Sequence, residues 1–291
     1  MRRGRLLALG VLATALALPA PAALTARGAA GVPAFSHVVV VVFENKESGE
    51  VLGSRRAPTF DRLARTWARI TDYRAVTHPS LPNYLALVSG STQGVTDDCT
   101  SCVVDGRSLA DTLEAARKSW KTYAEDLPAP GFTGASAGDY AKKHNPLVYF
   151  RSVLASPARR NRVVPLTQLA PDLGRGALPD FSLVVPNLCH DMHDCSVATG
   201  DSWLRGFLPP LLRSPEMRGG VVFLVFDEGG SDVGGGGHVA AVAAGPAVRP
   251  GSRYTATTGH YGLLRTIEDA WGLPRLGRSA SAAPIVGIWR R

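Results

Sequence analysis

The chain has 291 residues, with 32 Lys plus Arg against 24 Asp plus Glu and a formal net charge of +8. Four of the arginines (Arg2, Arg3, Arg5, Arg27) and no acid lie in the first 30 residues, so the rest carries 28 against 24, or +4, with no long basic run; this argues against a nucleic-acid partner. At 45% hydrophobic and 19% charged the chain can fill a core and is not a disordered tail.

Residues 1–30 read as a secretory leader. Met1, Arg2, Arg3, Gly4 and Arg5 form a basic start, residues 6–18 are uncharged and almost wholly apolar, and Ala20-Pro21-Ala22 and Leu24-Thr25-Ala26 offer small residues for cleavage. An uncleaved anchor is the alternative, although the apolar stretch falls short of the ~20 residues that span a bilayer. No later segment reads as transmembrane, so residues 31–291 are expected to be a single exported domain without an integral membrane segment.

The first element after the leader is a continuous apolar, β-branched run at 38–43, expected as a strand buried on both faces. It ends at Glu44-Asn45. Residues 59–70 have amphipathic spacing and predict a helix. His78-Pro79-Ser80-Leu81-Pro82-Asn83-Tyr84 precedes a helix over 82–88 with Pro in its first turn. A further helix is expected over 109–117 behind Ser108 as N-cap. The Pro- and Gly-rich stretch 128–138 reads as a surface loop. A second buried run, 181–185, leads into a loop rich in His and Asp. Helix 203–212 is expected to be interrupted at Pro209-Pro210. A third run, 221–226, ends at Asp227-Glu228 and a glycine stretch, 229–237. A fourth strand is expected over 239–244 and a last helix over 261–271. Strands alternating with helices predict an α/β fold with a mainly parallel central sheet flanked by helices.

Export makes disulfides the default for the four cysteines. Pairing 99–102 and 189–195 is favoured, although three connectivities and a four-thiolate zinc site stay open. A 189–195 staple would stiffen the loop that holds His190, Asp191, His193 and Asp194.

Three strand-type runs are thus followed by metal-ligand side chains. In an open α/β sheet these meet at the carboxyl edge. Glu44 and Asn45, the Asp191–His193–Asp194 group, and Asp227 with Glu228 are expected to converge there. Ser80 at a helix start supplies a hydroxyl close to an electropositive terminus. A serine needs a base or a metal to become a nucleophile, and no Gly-x-Ser-x-Gly elbow is present. Metal activation is the better fit.

The segments His37 to Asn45, Thr77 to Leu87, Tyr123 to Pro128, Tyr140 to His144, Val185 to Asp194, Phe226 to Glu228 and His260-Tyr261 resemble, in order, a bacterial phosphoesterase family. That family contains secreted acid phosphatases and phospholipases C within the alkaline phosphatase superfamily. The nearest likeness is to small actinobacterial acid phosphatases acting on phosphatidylinositol 3-phosphate. The resemblance implies an alkaline-phosphatase-like fold and roles for residues. Ser80 would be the nucleophile, and Asn83 would contact a phosphoryl oxygen. Glu44, Asn45, Asp227 and Glu228 would hold a divalent metal. Asp191, Asp194, His193 and His260 would form a second metal site or protonate the leaving oxygen. Lys143 and His144 are expected to bind substrate. The chain has Asp-Glu where two-metal members have Asp-His, so one or two ions are open. The expected activity is a secreted phosphomonoesterase using a metal-activated serine and a phosphoseryl intermediate, with a small-molecule or phospholipid phosphate ester as substrate. The alternatives are a phospholipase C-type phosphodiesterase and a secreted metal-binding protein without catalysis.

Overall fold

The computed structural model describes Met1 and residues 31–290, so the leader expected over 1–30 lies outside the described residues, save for Met1. The strands are β1 (Val38–Phe43), β2 (Ala68–Arg74), β3 (Trp120–Ala124), β4 (Ser136–Ala137), β5 (Tyr140–Ala141), β6 (Val163–Pro165), β7 (Phe181–Val185), β8 (Val221–Phe226), β9 (His238–Ala244), β10 (Ser252–Tyr254) and β11 (Thr258–Gly259). The helices are α1 (Ser48–Val51), α2 (Pro58–Thr66), α3 (Ser80–Ser89), α4 (Leu109–Ala115), α5 (Arg151–Leu154), α6 (Pro157–Arg160), α7 (Leu169–Gly174), α8 (Val197–Arg213) and α9 (His260–Trp271).

One sheet runs in the order β10-β2-β9-β8-β1-β7-β3-β6, with β11 also pairing with β2, while β4 and β5 form a separate ribbon. Every pairing in the large sheet is parallel except the two made by β9. β1 (VVVVVF) and β8 (VVFLVF) are buried along their whole length, as central strands covered on both faces must be. Phe43, at the end of β1, packs against Phe60 of α2, Trp203 of α8 and Phe226 of β8, with ring centroids 5.0, 6.0 and 5.4 Å away. This cluster locks two helices to the edge where the chains leave β1 and β8.

The glycine stretch explains why β9 reverses. It carries the chain from the end of β8 back to the same edge, and the turn folds tightly on itself. Gly237 has φ 98°, and a Cβ there would lie 2.7 Å from Glu47 Oε1 and 2.8 Å from the backbone of Gly229. Glu47 in turn accepts from Ser231 N (3.0 Å), Ser231 Oγ (2.7 Å) and His238 N (3.2 Å).

Two expected elements are corrected. The helix expected over 59–70 stops at Thr66, because Ala68, Ile70 and Tyr73 are buried as members of β2 while Arg69, Thr71 and Asp72 are not. A register shift between Ile70 and Tyr73 masks the two-residue period. Pro209 and Pro210 do not interrupt α8, which runs through them to Arg213. Each proline leaves the carbonyl four residues back without its donor. Those belong to Arg205 and Gly206, which are exposed and can turn to water.

Candidate active site

Ser80 opens α3 just beyond the carboxyl end of β2. Its Oγ lies 3.0 Å from Glu44 Oε2 and 3.2 Å from Glu228 Oε1. Glu44 follows β1, and Asp227 and Glu228 follow β8, so neighbouring parallel strands deliver all three to one edge. Tyr84 stands one helical turn after Ser80 and donates to Glu44 Oε1 at 2.5 Å. Asn45 has φ 54°; its backbone N–H donates to Asp227 Oδ1 at 3.2 Å, and its amide lies 3.4 Å from Glu44 Oε2.

His144 extends the cluster. Its ring stacks on Tyr84, with Nε2 3.3 Å from Glu44 Oε1 and Nδ1 3.1 Å from Asp191 Oδ2. Asp191 Oδ1 accepts from the His193 backbone at 2.8 Å. Lys143 Nζ lies 3.0 Å from Asp98 Oδ2 and 3.2 Å from His193 Nε2. The other ring nitrogen of His193 meets Asp194 Oδ1 at 2.6 Å.

Charge here is strongly unbalanced. Glu44, Asp191 and Asp227 are 0–1% exposed. Burial pushes the Glu44 carboxyl well above the usual range, with repulsion from Asp227 and Asp191 adding to it. Burial, then Glu228, does the same to Asp227, and burial lifts Asp191 to about 7. Burial also raises Glu228, against the pull of His78, whose Nδ1 lies 2.6 Å from Glu228 Oε2. Burial, then Lys143, holds His144 well below its ordinary value, so the ring is neutral. Burial opposes the charge on Lys143, but Asp98, Glu44 and Asp227 outweigh it and keep the ammonium protonated.

The arrangement fits a cation. The close approaches of His144 to Glu44 and Asp191 do not have hydrogen-bond geometry, so His144 Nε2, Asp191 Oδ2 and Asp227 Oδ2 are buried without a hydrogen bond among the described residues, and such orphans are costly. One ligand atom from each of Glu44, His144 and His193 falls within a 4.8 Å group able to hold a metal ion. That group is one carboxylate and two imidazoles, with Asp191 against His144 and Glu228 against Ser80 beside it.

Three expected residues stand elsewhere. The Asn83 amide faces its own entry loop: Oδ1 accepts from Val76 N and Thr77 N at 2.9 and 3.2 Å, and Nδ2 donates to Thr77 O and Pro79 O at 2.7 and 3.2 Å. That places it as a brace for the turn before Ser80, with no free amide hydrogen for a phosphoryl oxygen. His260 is buried and bonded at both ring nitrogens, to Tyr73 OH (2.9 Å) and Asp227 O (2.7 Å). Burial lowers it to about 4, so it is a neutral strut. The Asp194 side chain is 58% exposed and stands behind His193 rather than in the cluster.

Sequence reasoning passed over Tyr84, Asp98, His78 and Glu47. Tyr84 had a signal, four residues after Ser80 on the same helical face. Asp98, whose Oδ1 accepts from Leu81 N at 2.9 Å, had none.

Cys99 pairs with Cys102 and Cys189 with Cys195, with Cα separations of 5.7 and 4.6 Å. No cysteine is free, so the four-thiolate zinc alternative is not realised. The second bridge closes the loop that carries Asp191, His193 and Asp194.

The Phosphoesterase family model matches residues 51–274. The phosphatidylinositol-3-phosphatase of Mycobacterium tuberculosis is 37% identical over 97% of this chain and 92% of its own. An acid phosphatase of Aspergillus fumigatus is 33% identical over 78% of this chain; the match spans 53%, about half, of the fungal protein. Among solved structures, an alkaline phosphatase superfamily protein from Vibrio parahaemolyticus superposes with TM-score 0.58 at 12% identity, over 86% of this chain and 72% of that one; this likeness concerns the fold. On the match over most of its length, the chain belongs to the Phosphoesterase family, enzymes that hydrolyse phosphoric esters.

Proposed function

We propose that the protein is an exported phosphomonoesterase that uses Ser80 as a nucleophile, with phosphatidylinositol 3-phosphate within its substrate class. The observation that carries this reading is the Ser80 hydroxyl held between Glu44 and Glu228 at 3.0 and 3.2 Å, inside a buried carboxylate cluster. The relatives named as phosphatases support a monoester over a diester. Export rests on the leader pattern and the two disulfides.

Glu44, Asp227 and Glu228 beside Ser80, with His144 and His193 beyond Glu44, are the residues that would hold a divalent cation; Asn45 and Asp191 adjoin them. Such an ion would supply a lowered hydroxyl pKa and charge neutralisation at phosphorus. Ser80 Oγ attacks phosphorus in line, and its proton passes to a carboxylate it already touches. Lys143 offsets charge on the equatorial oxygens. Lys143 Nζ, which stays protonated and stands 3.2 Å from His193 Nε2, is also the group that can give a proton to the leaving oxygen. Asp194 fixes the His193 ring through the other nitrogen. Water then opens the phosphoseryl ester by the reverse path.

The test is phosphate release by purified protein from an aryl phosphate, from phosphatidylinositol 3-phosphate and from phosphatidylcholine, each with and without chelator. Activity on the monoesters alone, lost in Ser80→Ala at unchanged melting temperature, is the expected result. Turnover surviving in Ser80→Ala overturns the covalent route. Cleavage of phosphatidylcholine instead would favour the diesterase.

A further inference from the structure

A second feature lies at the opposite edge of the sheet. Between α2 and the amino ends of β2 and β10 is a cavity of about 290 Å³, lined by Asp61, Arg65, Arg69 and Arg253 among others. Arg69 and Arg253 are direct partners in the parallel pairing of β2 with β10. Strands in register lie about 4.8 Å apart, and like charges placed side by side destabilise a sheet.

Among the described residues no acid pairs with Arg69 or Arg253, and Arg69 Nε is buried without a hydrogen-bond partner there. The one acid in the lining, Asp61, gives Oδ1 to the Gly53 backbone at 2.7 Å and keeps Oδ2 3.8 Å from Arg65. Three guanidinium groups against one carboxylate leave the cavity with a net charge of +2. The basic pocket is distinct from the catalytic edge: Arg69 is the second residue of β2, whereas Ser80 follows the strand's other end.

We propose that this cavity is a phosphate-binding site separate from the catalytic centre. Its ligand is a tetrahedral dianion of the phosphate class. Arginine forks match phosphate oxygens in paired hydrogen bonds. A tetrahedral anion presents oxygens toward three guanidinium groups at once, whereas a carboxylate offers only two. The bound anion separates Arg69 from Arg253 and gives Arg69 Nε its acceptor.

The holoenzyme is titrated calorimetrically with inorganic phosphate, wild type against the Arg69→Gln/Arg253→Gln double variant. The wild type takes up one equivalent more than the variant, while kcat and competitive inhibition by phosphate on an aryl phosphate stay the same. Equal stoichiometry in the two proteins overturns the site. Because the readout is a difference, it holds if the catalytic centre binds no phosphate: one equivalent against none still supports this cavity and counts only against the catalytic reading. Arg65→Gln guards against misfolding of the double variant, since that side chain is 73% exposed on α2. It weakens phosphate binding at this site roughly tenfold, and unchanged affinity overturns the proposal.

Discussion

Tyr84 and Ser80 hold the two oxygens of a single carboxylate: the phenol donates to Glu44 Oε1 at 2.5 Å while the serine hydroxyl lies 3.0 Å from Oε2. They sit one turn apart on α3, so the helix fixes Glu44 and the nucleophile as one unit. Tyr84→Phe removes the donor and keeps the ring that stacks on His144. The expected outcome is a loss of about 1.5–3 kcal/mol in stability, the range for a hydrogen bond to a charged group, and a fall in kcat larger than any rise in KM. Steady-state kinetics beside a thermal melt check it; unchanged kcat would show that Glu44 needs no such clamp.

Removing a bound cation should cost stability as well as activity. Glu44, Asp191, Asp227 and Glu228 are all buried acids whose charge is disfavoured in place. Chelation is therefore expected to lower the melting temperature, and a divalent ion to restore it. Asp227→Asn takes one charge out of the cluster. In chelator this variant should melt above wild type, by on the order of 1–3 kcal/mol, while remaining inactive with metal. A wild-type melting temperature indifferent to chelator would count against any cation there.

The Cys189–Cys195 bridge closes the loop that places Asp191 and His193. Replacing both cysteines by serine should cost roughly 2 kcal/mol, from the entropy of a short loop. Turnover should fall further than that figure suggests, because His193 loses its register with Lys143. Kinetics measured well below the variant's melting temperature separate the two effects. Full activity there would show that the loop holds its shape unaided.

The central strands were legible because a strand covered on both faces must be almost wholly apolar: β1 and β8 are apolar throughout, and β7 carries the single polar residue Ser182. The carboxylates after β1 and β8 were legible for a related reason: a charged residue directly after such a run marks the edge where ligands gather. β2 was not, since Ile70 continues the helical spacing of Phe60, Leu63 and Trp67, and the register shift between Ile70 and Tyr73 breaks the two-residue period. The direction in which the Asn83 amide points depends on the 76–79 turn rather than on any local pattern. Partners such as Asp98 for Lys143, 45 positions apart, emerge only when distant segments are brought together.

A last prediction concerns pH and lies away from the catalytic edge. Glu268 on α9 is fully buried and accepts from Leu276 N at 2.8 Å and Ser279 Oγ at 2.6 Å. It thereby pins the 276–279 turn, whose Arg278 N–H donates to the Gly90 carbonyl at the end of α3. Burial raises its carboxyl to about 7 in spite of these bonds. A raised acid binds its proton more tightly folded than unfolded. Its contribution is thus fully present below the unfolded pKa, about 4.3, and is lost as pH climbs through about 7. The loss is on the order of 3–4 kcal/mol. Glu268→Gln cannot ionise and should lack this slope. It should be less stable than wild type near pH 4.5, where an amide makes a poorer acceptor for two donors, and more stable at pH 8. Denaturant melts of both proteins across that window decide it, and parallel profiles would show that Glu268 does not titrate there.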